Sequence, residues 1–231
     1  MKLISRNRII NFFIAGLILS LGFECRKADE EDTRITDADG NVYKSVTIGN
    51  QVWLRENLKT TRYNNGDLIG TTAPVTLDIS EELRPKYQWA YEGFEDNVAD
   101  YGRLYTWFAA SDKRGICPEG WHVPSYEEHD ELNNFGEGNK LPSDKLKEAG
   151  TVHWLWPNTG TNESGFTALP AGRRKPEGVF CGLYSGAFFW NSAIDKYHPE
   201  TGAHALAISA GCCLSNYSGS EAFSVRCIKD Q

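Results

Sequence analysis

Residues 121–128 read WHVPSYEE, and this stretch marks the clearest helix start in the chain. Ser125 offers an N-cap oxygen. Glu128, three residues later, completes a capping box, so side chains satisfy N–H groups that the first turn leaves unpaired. Leu132 and Phe135 continue an apolar face beyond it. Leu141 to Gly150 predicts a second short helix that stops at its glycine.

On either side of this helical centre the pattern changes to strands. Upstream, Asp37-Ala-Asp-Gly-Asn41 is a turn, Val42 to Ile48 is strand-like, and Gly49-Asn50 turns the chain into a returning strand, Gln51 to Leu54. Short Gly and Asn turns between β-branched runs are hairpin chemistry. The Asp-rich turn lacks the Glu, twelve residues from its start, that a calcium loop needs; Thr47 and Ile48 stand there. Thr71 to Lys86, with Pro74 and Pro85, reads as irregular, and Tyr101 to Ala110 as a strand passing into a helix. Downstream, residues 166–172, 188–191, 205–208 and 223–228 read as strands separated by turns. Strands at both ends around central helices make an α+β arrangement, not a βαβ series.

The extreme N-terminus has a different character. Lys2, Arg6 and Arg8 precede an apolar run from Ile9 to Leu21, the layout of a secretory signal. The run is short for a membrane span. Cys25 follows, then the acidic stretch Asp29 to Asp32. A Cys placed there is similar to the acylation site of bacterial lipoproteins, and the acidic residues resemble the surface-export signal of Bacteroidetes lipoproteins. Gly22, Phe23 and Glu24 precede Cys25 where a lipobox has small residues, so a signal peptide cut further on is the other reading. The expected division is a signal over 1–25, an acidic tether over 26–35 and one domain over 36–231. The expected location is the cell envelope, with a lipid on Cys25 holding the protein to the outer membrane, facing periplasm or cell surface.

An exported domain has access to disulfides. Cys117 opens a turn and Cys227 sits in the last strand, so a bridge between them would tie the helical centre to the C-terminus. Cys181 can pair with Cys212 or Cys213, and the odd number leaves one thiol over. A metal site on Cys212 and Cys213 with His204 lacks any CxxC or HxxxH spacing, and no cofactor motif is present.

Composition agrees with a folded, ring-packed domain: 40% of residues are hydrophobic and 12% aromatic, against a single Met. A formal charge of −7, with no Lys/Arg cluster in the sequence beyond the signal, argues against nucleic acid as partner.

The blocks "DADGNVYKSVTIGNQVWLRENLKTTRYNNGD", "YGRLYTWFAA", "CPEGWHVPSYEE", "LKEAG", "GFTALPAGRR", "FFWNSA" and "FSVRCIKD" occur in this order from about Thr36 to Gln231. Together they resemble the Fibrobacter succinogenes major paralogous domain, a family frequent in lipoproteins of Bacteroidetes and Fibrobacteres. It is similar to the wider C-type-lectin-like and sulfatase-modifying-factor fold group. The resemblance implies a mixed α+β domain with a small twisted antiparallel sheet, about two helices and long loops. It implies no particular activity.

Candidate chemistry is sparse. The stretch that would match the calcium-holding strand of sugar-binding C-type lectins is Trp190-Asn191-Ser192, which lacks the Asp at its third place. His122, His129, His153, His198 and His204 stand in no GxSxG or HExxH setting, so nothing specific supports an enzyme. The better candidate is the loop His153-Trp-Leu-Trp-Pro-Asn158. Two Trp in one loop are there either to bind a ligand or to fold back on the core. Trp154, Trp156 and Asn158 are therefore the expected binding residues of a non-catalytic module for glycan or protein. The alternatives are a structural or adhesion component without small ligand, or, with less support, an enzyme acting on extracellular polymer.

Overall fold

Short strands and short helices make up this computed structural model, which describes residues 34–135, 142–209 and 212–231. The N-terminal strands are β1 (Ile35–Thr36), β2 (Val42–Tyr43), β3 (Ser45–Ile48) and β4 (Gln51–Leu54). After a long irregular stretch come β5 (Gln88–Trp89), α1 (Val98–Tyr101), β6 (Leu104–Thr106) and α2 (Trp107–Ala110). Strand β7 (Trp121–His122) leads into α3 (Tyr126–Asn133), and α4 (Pro142–Leu146) follows. The C-terminal strands are β8 (Ala171–Arg174), β9 (Phe180–Leu183), β10 (Ala187–Ile194), β11 (Gly202–Ile208), β12 (Cys212–Ser218), β13 (Ala222–Phe223) and β14 (Ile228–Lys229).

These strands form four small sheets in which every ladder is antiparallel. Strands β1 and β2 form a ribbon, β3-β4-β14-β7 a second sheet, β5-β6-β13-β8-β9 a third, and β10-β11-β12 a fourth. The hairpin expected over residues 45–54 is present, with Val46 opposite Trp53 and Gly49-Asn50 at the turn. Its second strand pairs with the C-terminus, Trp53 opposite Ile228, and Ile228 in turn lies opposite His122. Both ends of the domain and the start of the helical region thus share one sheet, and the disulfide Cys117–Cys227 fastens it. Arg34–Gln231 form one compact unit.

Helix α3 begins where the capping box places it. Glu128 N–H donates to Ser125 Oγ at 3.1 Å, and Ser125 N–H donates to the Glu128 carboxylate at 2.7 Å. Its inward residues are Leu132 and His129. The second expected helix is shorter than the sequence suggests, ending at Leu146. Lys147 bridges to Ala168 instead, because the chain there joins the residues leading to β8.

Aromatic rings organise the core. Trp53, Trp154, Phe166 and Phe189 gather with Leu132 and Leu146 in one cluster. Trp190, Phe223, Tyr105 and Trp107 surround the disulfide in a second. Trp190 is fully buried, donates its indole N–H to Tyr105 O at 2.7 Å and stacks on Phe223 at 4.1 Å. Asn191 is buried too, its carbonyl accepting the Trp107 indole N–H and its side-chain oxygen the Ala193 N–H. In the stretch Trp190-Asn191-Ser192, the first two residues are therefore core.

One glycine is required by a close approach. Gly102 sits at φ 70°, and a Cβ there would lie 2.6 Å from Asn57 Cβ and 2.8 Å from Leu58 O. Only a residue without a side chain fits both the backbone and the space.

Two expectations fall elsewhere. Cys181 carries a free, half-buried thiol, so the second bridge to Cys212 or Cys213 is not made. The reason is placement: Cys181 is on β9 beside Arg173 of β8, whereas Cys212 and Cys213 lie on β12 opposite Ile208 and Ala207, in another sheet. Cys25 and residues 26–33 of the expected tether lie outside the described residues, whereas Ile35, its last residue, belongs to β1 and the compact unit starts at Arg34. No helix among the described residues is long and apolar enough to cross a membrane.

Candidate functional site

The loop 152–158 is held at three points, and the anchoring decides which rings it presents. Trp154 turns inward. It is buried, its indole N–H donates to Ala168 O at 3.0 Å, and Lys147 Nζ lies 5.1 Å from its ring centroid. Asn158 spans back across the loop, donating to Glu148 O at 2.8 Å and Gly150 O at 2.6 Å, while its Oδ1 accepts from Gly160 N–H. Between them, Leu155 N–H donates to Tyr184 O at 2.8 Å, tying the loop to the turn after β9.

With those anchors made, the intervening side chains have no interior to enter. Trp156 is 84% exposed, Val152 80%, Leu155 60% and Tyr184 45%. Tyr184 sits at φ 67°, a left-handed conformation costly to a residue with a Cβ. Its N–H donates to Pro170 O, and its ring meets Tyr101 edge-on at 6.2 Å. Tyr101 in turn meets the His153 ring at 5.5 Å. His153 Nδ1 lies 2.8 Å from a Glu148 carboxylate oxygen, so a polar pair flanks the apolar surface. Burial, reinforced by Tyr184 and nearby carboxylates, pushes the Tyr101 phenol up to about 12, and it stays protonated at neutral pH.

The three residues singled out from sequence therefore divide. Trp156 faces solvent, Trp154 is core, and Asn158 is a loop brace. Tyr184, Leu155 and Val152 complete the exposed surface. Of these, Tyr184 is distant in sequence from the loop, and its carbonyl's contact with Leu155 N–H places it here.

Elsewhere, the other histidines lie apart from this loop. His122 Nδ1 lies 2.6 Å from Asp230, and its Nε2 lies 3.1 Å from Glu128, the capping carboxylate. Burial disfavours the charged ring, but Asp230 and Glu128 outweigh it and raise its pKa. His198 Nδ1 lies 3.0 Å from Asp195, and His204 meets the Tyr126 ring. His129 is fully buried, stacked on Trp53 at 5.7 Å, with both ring nitrogens unpartnered. Among the described residues no His ring nitrogen is hydrogen-bonded to a Ser, Thr or Cys side chain. No group of three or more His, Cys, Asp or Glu is placed there to hold a metal ion.

Buried arginines join the sequence blocks. Arg226, in "FSVRCIKD", is fully buried and donates to Phe166 O at 2.6 Å in "GFTALPAGRR" and to Asn57 Oδ1 in "WLRENL". Arg174 is buried too, donating to Val75 O at 3.0 Å, with its guanidinium 4.2 Å from the Trp89 ring centroid. The Fibrobacter succinogenes major domain matches residues 46–229, a span that contains all of these contacts. The chain belongs to the Fibrobacter succinogenes major domain family. No curated protein and no solved structure matches it significantly. Loop 152–158 falls inside the span matched by the Fibrobacter succinogenes major domain, so the exposed surface is part of that domain and not an appendage to it.

Proposed function

We propose that the protein is a non-catalytic binding module of the cell envelope, tethered through a lipid on Cys25, that takes a glycan on the surface formed by Trp156 and Tyr184. The observation that carries this reading is the exposure of Trp156 on an anchored loop. Its neighbour Trp154 is buried and Asn158 braces the backbone, so the indole is turned to solvent and not to the core. An exposed indole, on a loop hydrogen-bonded through Leu155 to the half-exposed Tyr184, offers apolar faces to a sugar ring, and His153 on the same loop adds a polar pair with Glu148. Small antiparallel sheets joined by long loops support placing the domain in the C-type-lectin-like group, where loops carry recognition.

A glycan array probed with the protein and with Trp156→Ala tests it. Binding to neutral glycans present in the wild type and lost in the variant supports the reading; neutral-glycan binding unchanged by the substitution sinks it. The aliphatic side chains of Val152 and Leu155 favour a second reading, a protein partner in an envelope assembly. A stoichiometric partner recovered by pull-down with the wild type but not with Trp156→Ala, together with an empty array, selects that one. Mass spectrometry of the native protein tests the tether, since a lipid-modified Cys25 has a distinct mass.

A further inference from the structure

The chain is acidic overall, yet one cleft inverts the sign. An open cavity of about 500 Å³ is lined by Arg84, Lys86, Lys113 and Arg114 against one carboxylate, Asp112. Its apolar side is Phe108 and the half-exposed Ile194. The size suits a bound molecule of a few sugar rings.

The four cations are not equivalent. Asp112, nearly buried, accepts from Arg114 Nε at 2.9 Å and from Lys86 Nζ at 2.6 Å. Arg114 also reaches Asp67 at 2.9 Å and stacks on Tyr63 at 3.8 Å. These two cations are fixed and locally neutralised. Lys113 is exposed and has no ion partner among the described residues. Arg84 has only Glu200, at 3.7 Å between two exposed side chains, a contact that water and salt weaken. Arg84 is held at φ 55°, a conformation costly to a non-glycine residue, with its guanidinium 5.9 Å from the Phe108 ring centroid. A strained arginine and an unpaired lysine at the lip of an apolar-walled cleft are arranged for an anionic group attached to a ring.

We propose that this cleft binds an acidic saccharide, its carboxylate or sulfate engaged by Arg84 and Lys113 and a sugar face resting on Ile194 and Phe108. The guanidinium fork matches either oxyanion, and a ligand carboxylate displaces the loosely held Glu200. The cleft is built from residues other than loop 152–158, so this inference stands apart from the reading of Trp156.

Calorimetric titration of the protein with trigalacturonate and with a chondroitin sulfate tetrasaccharide tests it, and separates carboxylate from sulfate. At least one should bind, more weakly at high salt. Lys113→Ala and Arg84→Ala should each weaken binding about tenfold. Both side chains are exposed, and matching thermal melts would show that the variants fold. Failure of both acidic saccharides to bind overturns the proposal. So does equal affinity for maltotriose or triglutamate, or unaltered binding by both cleft variants.

Discussion

The guanidinium of Arg226 donates to Asn57 Oδ1 through both Nε and Nη2, across 169 positions of sequence. No carboxylate among the described residues lies within ion-pair distance of it. Its remaining partners are the carbonyls of Phe166 and Leu54 and the rings of Phe166 and Phe189. Burial pulls its pKa down to about 9, so it remains a cation at neutral pH. Asn57 also donates to Tyr101 O and Ser224 Oγ, so one amide joins its own segment to that of Tyr101 and to the C-terminal segment carrying Ser224 and Arg226. Asn57→Ala leaves a buried charge short of its main acceptor and should cost about 3 kcal/mol in urea unfolding. A loss under about 1 kcal/mol would mean that the carbonyls and rings suffice.

The disulfide acts on the same seam by another route. Cys117 and Cys227 are 110 positions apart. Closing so long a loop in the unfolded chain is worth about 4–5 kcal/mol in the chain-entropy account. The Cys117→Ser, Cys227→Ser double variant should lose stability on that order, and wild type under reductant should match it. Reductant should leave the double variant unchanged, because Cys181 and Cys213 are already free thiols.

Much of this seam was legible in sequence. The capping box, the Gly49-Asn50 hairpin and the Cys117–Cys227 pairing each rest on local chemistry or on a small set of choices. The cation cleft was not legible: Arg84 and Lys86 are separated from Lys113 and Arg114 by β5, α1, β6 and α2, and only the tertiary fold brings them together. The same holds for Trp154 and Trp156. They are two residues apart with like chemistry, and their opposite fates depend on Ala168 O, an acceptor that no spacing rule locates.

His129 and His122 should give stability a pH dependence of opposite signs. Burial alone drives His129 down to about 3, so the folded protein keeps it neutral. As pH falls below about 6.5 the unfolded chain takes up a proton that the folded one refuses, and stability falls, by up to about 1.4 kcal/mol per pH unit. His129→Phe, which keeps a ring on Trp53, should flatten that acid limb of a urea-midpoint profile. His122 is raised instead. Its contribution is complete below about 6.5 and is lost as pH rises through its elevated folded-state value. His122→Gln should remove a decline on the alkaline side and leave the acid limb in place.

Trp154 and Trp156 should separate stability from binding. Trp154→Ala opens a cavity among Leu146, Phe166 and Ala168 and frees a buried carbonyl, so it should cost about 3–5 kcal/mol. Trp156→Ala removes a ring that is 84% exposed and should change stability by less than about 0.5 kcal/mol. If ligand binding falls in Trp156→Ala with an unchanged melting curve, the loss belongs to the surface. If Trp156→Ala melts as early as Trp154→Ala, the ring is part of the domain's packing and the exposed loop cannot be the contact surface. Comparing the two melting curves before any binding assay therefore decides whether the binding assay can be interpreted.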